Sequence, residues 1–334
     1  MNQHKKENQS KKKITEEILH QIGGSVILVL LLIAVVAICM VGWLSLASKK
    51  SELIQESKAA ANQLTGFLEQ YTKSTEQLAG NPEIKSLMLE EASFDDFWQS
   101  SKMDTVMENL VNIANTDTEN VMAVWVSDLD ASTLAQSDGF KSEKGWDITG
   151  RGWYGCITEK KTVLTEPYVD SSTGKMILSA AAPVYDDATG DVRGAVGMDI
   201  SLDHMTEVMK EYKIGRNGYT LLLSEGGIFL YHPQSDIVQK NIKDTDTSQN
   251  VADAILSKNS EFLKYKTGGS AKYGFLQHAG DTGYVVLSSL PVLEYYETLT
   301  AMIFALVIIF TVGIILIAIR INKSARNITK PILA

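Results

Sequence analysis

The sequence predicts an α+β chain in which a long helix and two units of antiparallel sheet are flanked by two transmembrane helices. Three observations carry this prediction. Residues 25–47 and 299–319 hold no charged side chain. Residues 50–79 repeat apolar side chains at helical spacing. Beyond them, two successive sets of short β-rich runs are broken by Gly- and Asp-containing turns, each set accompanied by helical stretches.

The apolar runs come first in the argument because they bound the rest. At 1.5 Å per residue the first reaches ~34 Å and the second ~31 Å, enough for a hydrocarbon core of ~30 Å. Lys49 and Lys50 close the first run and Arg320 closes the second, while Trp43 and the pair Tyr295/Tyr296 sit where interfacial aromatics are expected. Ser45-Leu46-Ala47 reads as a signal-peptidase site, but a signal core is usually ~7–15 residues and this run is longer, so a retained span is expected. Residues 1–24 carry a balance of +2 and residues 320–334 a balance of +4. The whole chain is −9, which leaves −15 for residues 48–298. By the positive-inside tendency both termini are expected in the cytoplasm and the acidic middle outside a plasma membrane. That acidity also argues against a nucleic-acid partner. Two cysteines, Cys39 and Cys156, exclude a disulfide-stapled scaffold.

Between the spans, Lys50 to Ala79 is expected as one helix with Leu64, Phe67, Leu68, Tyr71 and Leu78 as its packing stripe. Gly66 is its weak point, and Gly80 with Pro82 ends it. One further helix is expected over Phe94–Ala114. Strands follow at Val121–Ser127, Thr162–Val169, Lys175–Val184 and Val192–Ile200, with turns at 171–174 and 186–190, then a helix over Leu202–Tyr212. The pattern restarts with a hairpin (Tyr219–Ser224, Ile228–His232), a helix near Val251–Lys258, and strands at Glu261–Thr267, Ala271–His278 and Tyr284–Leu290. Recurring helices exclude a sandwich, and hairpin connections exclude a βαβ fold. The expected divisions are a tail (1–24), a first span (25–47), an external domain (48–298) with modules at about 80–205 and 213–292, a second span (299–319) and a closing segment (320–334).

Candidate chemistry concentrates in R-x-W-Y, where Arg151, Trp153 and Tyr154 put a fixed cation and two amphipathic rings within four residues. An Arg fork matches a carboxylate bidentately, and the Trp N–H and Tyr O–H add oriented donors. Asp170 and Asp199, at the ends of predicted strands, can present carboxylates to the same cavity. A cation facing two carboxylates fits a zwitterion, of which a free amino acid is the simplest. The structural alternative is that Arg151 pairs with Asp147 or Asp170 and Trp153 is core.

The string RGWY (151–154), with EPYVDSSTGKMILSAAAPVYD (166–186), GAVGMDISLDHM (194–205), GRNGYTLLLSEGGIFLYHP (215–233) and TGYVVLSSLP (282–291), resembles the double-Cache sensor domain of bacterial transmembrane receptors. The resemblance covers essentially the whole chain. It implies a stalk helix carrying a membrane-distal and a membrane-proximal PAS-like module, and a homodimer. It also implies a host that is most often a methyl-accepting chemotaxis protein, with sensor kinases and diguanylate cyclases next. By position, Arg151 and Trp153 would hold the α-carboxylate of an amino acid. Tyr154, Asp170 and Asp199 would hold its ammonium, and Tyr168 would shape the wall. The aromatic five residues before the Arg is usually Tyr in that family and is Trp146 here, which keeps a ring and a donor but loses the hydroxyl acceptor. Relatives with altered pockets take amines, nucleobases or small carboxylates, so these remain open. The tail RINKSARNITKPILA, with Pro331, resembles the start of a HAMP linker, which implies cytoplasmic signalling partners reached through a further C-terminal region. No bond-making motif, cofactor fingerprint or metal-ligand spacing is present, so a binding protein without catalysis or cofactor is expected.

Overall fold

The computed structural model describes residues 2–90, 93–170 and 173–329. The chain divides into two compact units, Leu53–Pro291 and a second formed by the two terminal segments, 1–52 and 292–334.

Helix α1 (Asn2–Ala79) is continuous from the N-terminal tail through the first apolar run to the predicted stalk. It passes through Gly66 without a break, because a helical glycine costs only about 1 kcal/mol and packing of the stripe outweighs it. Leu64, Leu68, Tyr71 and Leu78 are buried as expected, joined by Leu53, Ser57, Ala60 and Ala61. Pro82 both ends α1 and opens α2 (Pro82–Glu90), since proline is tolerated at a first helical position. Asn81 caps that start by accepting from the Glu83 and Ile84 amides.

The single helix expected over Phe94–Ala114 is two, α3 (Phe94–Gln99) and α4 (Met103–Ala114). Ser100 breaks them apart: it is extended (ψ 135°), and its hydroxyl and carbonyl accept from the Lys102 and Met103 amides. The hydroxyl-bearing break re-aims α4 so that Val106 and Leu110 reach the core.

The first sheet contains β1 (Val121–Asp128), β2 (Thr133–Gln136), β3 (Val163–Leu164), β4 (Tyr168–Val169), β5 (Met176–Tyr185) and β6 (Val192–Ser201), with a short helix α5 (Gly155–Glu159) between β2 and β3. Its order is β2-β1-β6-β5-β3, with β4 also on β5, and every pairing is antiparallel. The strand expected at Thr162–Val169 is two short pieces because Pro167 has no N–H to give the ladder. Of the turn expected at 171–174, Ser171 and Ser172 lie outside the described residues.

Both faces of this sheet are buried, and the two-residue period sorts them. Val124, Val126, Leu178, Ala180, Val196 and Met198 face a core shared with α1, α2 and α4. Their neighbours Trp125, Ala181 and Ala195 face a second, smaller cluster with Trp153 and Cys156. Ser179, Gly197 and Asp199 fall on that second face by the same alternation.

Helix α6 (Asp203–Glu211) leads to the second module: β7 (Tyr219–Ser224), β8 (Phe229–Tyr231), α7 (Gln249–Ser257), β9 (Glu261–Thr267), β10 (Ser270–His278) and β11 (Tyr284–Pro291). The sheet order is β8-β7-β11-β10-β9, again antiparallel throughout. Leu222, Leu230, Tyr284 and Val286 belong to the same core as the first module, whereas Leu221, Leu223, Val285 and Leu287 pack on α7 residues. The buried Tyr284 hydroxyl donates to the Thr165 carbonyl at 2.9 Å, between β3 and β4.

In the terminal unit, α8 (Val292–Tyr295) precedes α9 (Glu297–Thr329). The segments Gln21–Ala79 and Glu297–Ile321 are each long and apolar enough to cross a membrane. Their apolar side chains are widely exposed, Leu28 at 64% and Phe304 at 68% for example. The two helices meet at small residues, Gly23 against Ile321 and Gly42 against Leu299, and from α8 the Tyr295 hydroxyl donates to the Leu46 carbonyl at 3.1 Å. Pro331, on which the HAMP resemblance rests, lies outside the described residues.

Candidate functional site

A cavity of about 290 Å³ opens on the second face of the first sheet. Trp146, Arg151, Trp153, Tyr168, Asp170 and Asp199 all line it. Tyr154 does not: its ring packs against Trp153, 6.3 Å between centroids, within the small apolar cluster behind the wall.

The floor is built by strands. Asp199 on β6 is buried and accepts from Ser179 Oγ at 2.6 Å and from Trp125 Nε1 at 2.9 Å. Trp125 on β1 pairs directly with Gly197 on β6. A Cβ at position 197 would overlap the Trp125 ring, so the glycine of G-x-D makes the seat on which the indole lies flat and reaches the carboxylate two residues on. Burial pushes Asp199 up to about 6; the Ser179 and Trp125 donors oppose that shift, and Asp170 and Asp138 add to it. Gln136 Nε2 lies 3.5 Å from the second oxygen. The Tyr168 hydroxyl shares a hydrogen bond with Ser179 Oγ at 2.8 Å, so β4, β5 and β6 contribute to one polar network.

The rim is built by loops. Arg151 caps a 3₁₀ turn (Gly152–Tyr154) in extended backbone, and this single turn sends Trp153 inward while Arg151 stays exposed. Its guanidinium lies 4.0 Å from the centroid of the Trp146 ring. Among the described residues it makes no ion pair, and the two carboxylates named as alternatives are otherwise engaged. Asp147 accepts from the Thr149 amide and hydroxyl, and Asp170 accepts from the Thr173 amide at 2.8 Å and its hydroxyl at 2.5 Å. Trp153 is core and lining at once, since its ring is buried 4.9 Å from that of Trp125.

Sequence reasoning missed Trp125, Gln136, Asp138 and Phe140, which also line the cavity. Trp125 had a readable signal in its strand alternation, but a Trp between valines reads as core. Gln136 rides on β2, a four-residue strand without a clear pattern, and Asp138 and Phe140 occupy the turn after it. The walls therefore present one guanidinium against three carboxylates, with aromatic rings between them. Such a cavity can hold an ammonium firmly and an anionic group at one edge. Cys156 is buried beneath it and its thiol is pushed up to about 12 by desolvation, which makes it inert. Among the described residues no group of three His, Cys, Asp or Glu could hold a metal ion.

TlpB of Bacillus subtilis, a methyl-accepting chemotaxis protein, is 24% identical over 284 residues, covering 84% of this chain and 40% of TlpB. The chain spans well under half the length of the curated chemotaxis proteins it matches, 16% of one and 40% of another. The ligand-binding domain of Mlp24, solved with asparagine, superposes with a TM-score of 0.57 at 19% identity, covering 78% of this chain and 98% of that domain. The extracellular domain of mmHK1S-Z3, assigned to the histidine kinases, gives 0.61 at 16%, covering 75% and 97%. These likenesses show the fold. The family model for the Cache domain, in its double-Cache form, matches residues 46–299, and the chain belongs to that family.

Proposed function

We propose that this chain is the sensory portion of a methyl-accepting chemotaxis receptor that takes a free amino acid in the first-module cavity. The observation that carries the reading is the presence of both charges in one cavity: Arg151 lines it together with Asp138, Asp170 and Asp199, with Trp146, Trp153 and Tyr168 as walls. Arg151, with the Trp153 N–H, receives the α-carboxylate. Asp199, Asp170 and the Tyr168 hydroxyl receive the ammonium. About 290 Å³ is at the small end of ligand pockets and suits a single metabolite. Mlp24 with asparagine supports the ligand class, and TlpB supports the chemotactic output.

The receptor acts by binding, not catalysis. A ligand biases one of two arrangements of the domain by its differential affinity for them, and the apolar helices carry the difference across the membrane to cytoplasmic signalling partners. In this reading the chain is a homodimer in the plasma membrane, with the double-Cache domain outside and both termini inside.

The test is calorimetry on the 334-residue chain in lipid nanodiscs against a panel of L-amino acids, amines, nucleobases and small carboxylates. A hit confined to amino acids, lost in Arg151→Ala, is expected. A hit confined to an amine or a nucleobase overturns the ligand class while leaving the receptor reading intact.

A further inference from the structure

The first-module cavity holds more negative charge than a simple zwitterion engages. Arg151 is the single cation among its lining residues, and Asp138, Asp170 and Asp199 are carboxylates. An amino acid bound through Arg151, Asp170 and Asp199 leaves Asp138 over. A ligand with no net charge does nothing to balance it.

Asp138 stands apart from the buried floor. It is exposed, in the turn that follows β2, whereas Asp199 is buried on β6. Backbone bonds close the turn: the Gly139 amide donates to the Gln136 carbonyl at 3.1 Å, and the Gln136 amide to the Phe140 carbonyl at 3.0 Å. One oxygen of Asp138 accepts from the Phe140 amide at 2.9 Å, and among the described residues the carboxylate makes no ion pair. The same turn presents Phe140, an exposed ring 6.2 Å from that of Trp146, which in turn carries Arg151. A cation arriving at this turn meets a carboxylate and an aromatic ring, the two kinds of surface that hold ammonium and guanidinium groups. Asp138 already acts on the floor through space, since its charge helps to raise Asp199. A positive group beside it opposes that effect.

We propose, resting on the amino-acid reading of this cavity, that it selects amino acids with a cationic side chain and that Asp138 with Phe140 determines this specificity. The α-ammonium goes to the buried floor and the side-chain cation to the exposed turn. An apolar spacer of the arginine or lysine kind joins the two and runs among the aromatic walls. An acidic side chain placed at the same turn is repelled, so aspartate and glutamate are excluded by the same residue.

The experiment is calorimetry on the 334-residue chain in nanodiscs with two matched pairs of ligands. L-arginine is compared with L-citrulline, which has nearly the same shape without the charge, and L-lysine with L-norleucine. Each charged member is expected to bind at least about threefold tighter than its neutral partner, the effect of one ion-pair contact at a rim. The gap should narrow as salt is added. Asp138→Asn keeps an oxygen for the Phe140 amide, and in it the arginine-to-citrulline ratio should fall to about one. Asp138→Glu keeps the charge and should preserve the preference. Equal or weaker binding of the charged members overturns the proposal and leaves the amino-acid reading standing. A preference that survives Asp138→Asn overturns it as well. If none of the four binds, the proposal falls, and the wider amino-acid panel decides whether the amino-acid reading falls with it.

Discussion

The Trp125 indole lies across Gly197 on the neighbouring strand and donates its N–H to Asp199 at 2.9 Å. One pairing thereby fixes an aromatic wall and a buried carboxylate together. Gly197→Ala is expected to displace the ring, with an overpacking cost of about 1–3 kcal/mol. Chemical denaturation measures the loss, and calorimetry should show amino-acid binding reduced more than stability alone explains, because both Trp125 and Asp199 shift.

Asp199 titrates near 6, so amino-acid affinity should depend on pH with a definite sign. The ammonium of the ligand needs the ionised carboxylate, which is present above pH 6 and is lost as pH falls through it. Affinity at pH 5 should be about tenfold below that at pH 7.5. Asp199→Asn should bind weakly and with a flat profile; a sloped one would place the titrating group elsewhere.

Asp128 gives a stability prediction. It is fully buried, accepts from the Ala131 amide at 2.7 Å through one oxygen, and has a second oxygen with no partner among the described residues. Burial raises it to about 7, Asp130 adds to the shift, and Arg193 opposes it. The folded chain therefore holds a proton that the unfolded chain releases near pH 4, and this contribution is lost as pH rises from about 4 to about 7. Asp128→Asn removes the loss. Relative to the native chain it should gain on the order of a few kcal/mol between pH 4.5 and pH 8, read from urea midpoints.

Trp146 is expected to act by positioning Arg151. Removing a cation–π surface costs about 0.5–2 kcal/mol, so Trp146→Ala should weaken amino-acid binding by roughly 2- to 30-fold. Trp146→Tyr keeps a ring and restores the hydroxyl usual in the family, and should retain most of the affinity. Equal losses in both variants would mean that the indole itself touches the ligand.

The Tyr284 hydroxyl joins the second sheet to the segment between β3 and β4, whose Thr165 exchanges backbone and side-chain hydrogen bonds with Ser179 beside Asp199. Tyr284→Phe orphans the Thr165 carbonyl and should cost about 1–3 kcal/mol. Hydrogen exchange should then show ligand-induced protection confined to the first sheet, where the native chain extends it to β11.

Much of the fold was readable because β5, β6, β7 and β11 are near-continuous buried runs, β9 alternates buried and exposed residues, and glycine or aspartate turns bound them. Tyr219–Ser224 and Glu261–Thr267 coincide with β7 and β9 residue for residue. What stayed hidden depended on tertiary partners. Ser100 splits a helix through its own hydroxyl, Pro82 serves two helices at once, and β2 exists only because β1 pairs with it. At the cavity, residues carrying obvious chemistry were legible, such as Arg151 and Asp199. Trp125 was not, since its role comes from the glycine opposite it on another strand. Tyr154 shows the reverse case: adjacency in R-x-W-Y suggested a shared task, and a 3₁₀ turn sends its ring to a different wall.

The division of the first cavity into a strand-built floor and a loop-built rim has an evolutionary consequence. Trp125, Ser179, Gly197 and Asp199 sit on paired central strands, whose register fixes which of their side chains face the cavity. Phe140, Trp146 and Arg151 answer to no such ladder. A lineage bearing this scaffold can therefore alter the rim of the cavity by rewriting a few surface turns, while its strand-built floor is inherited intact.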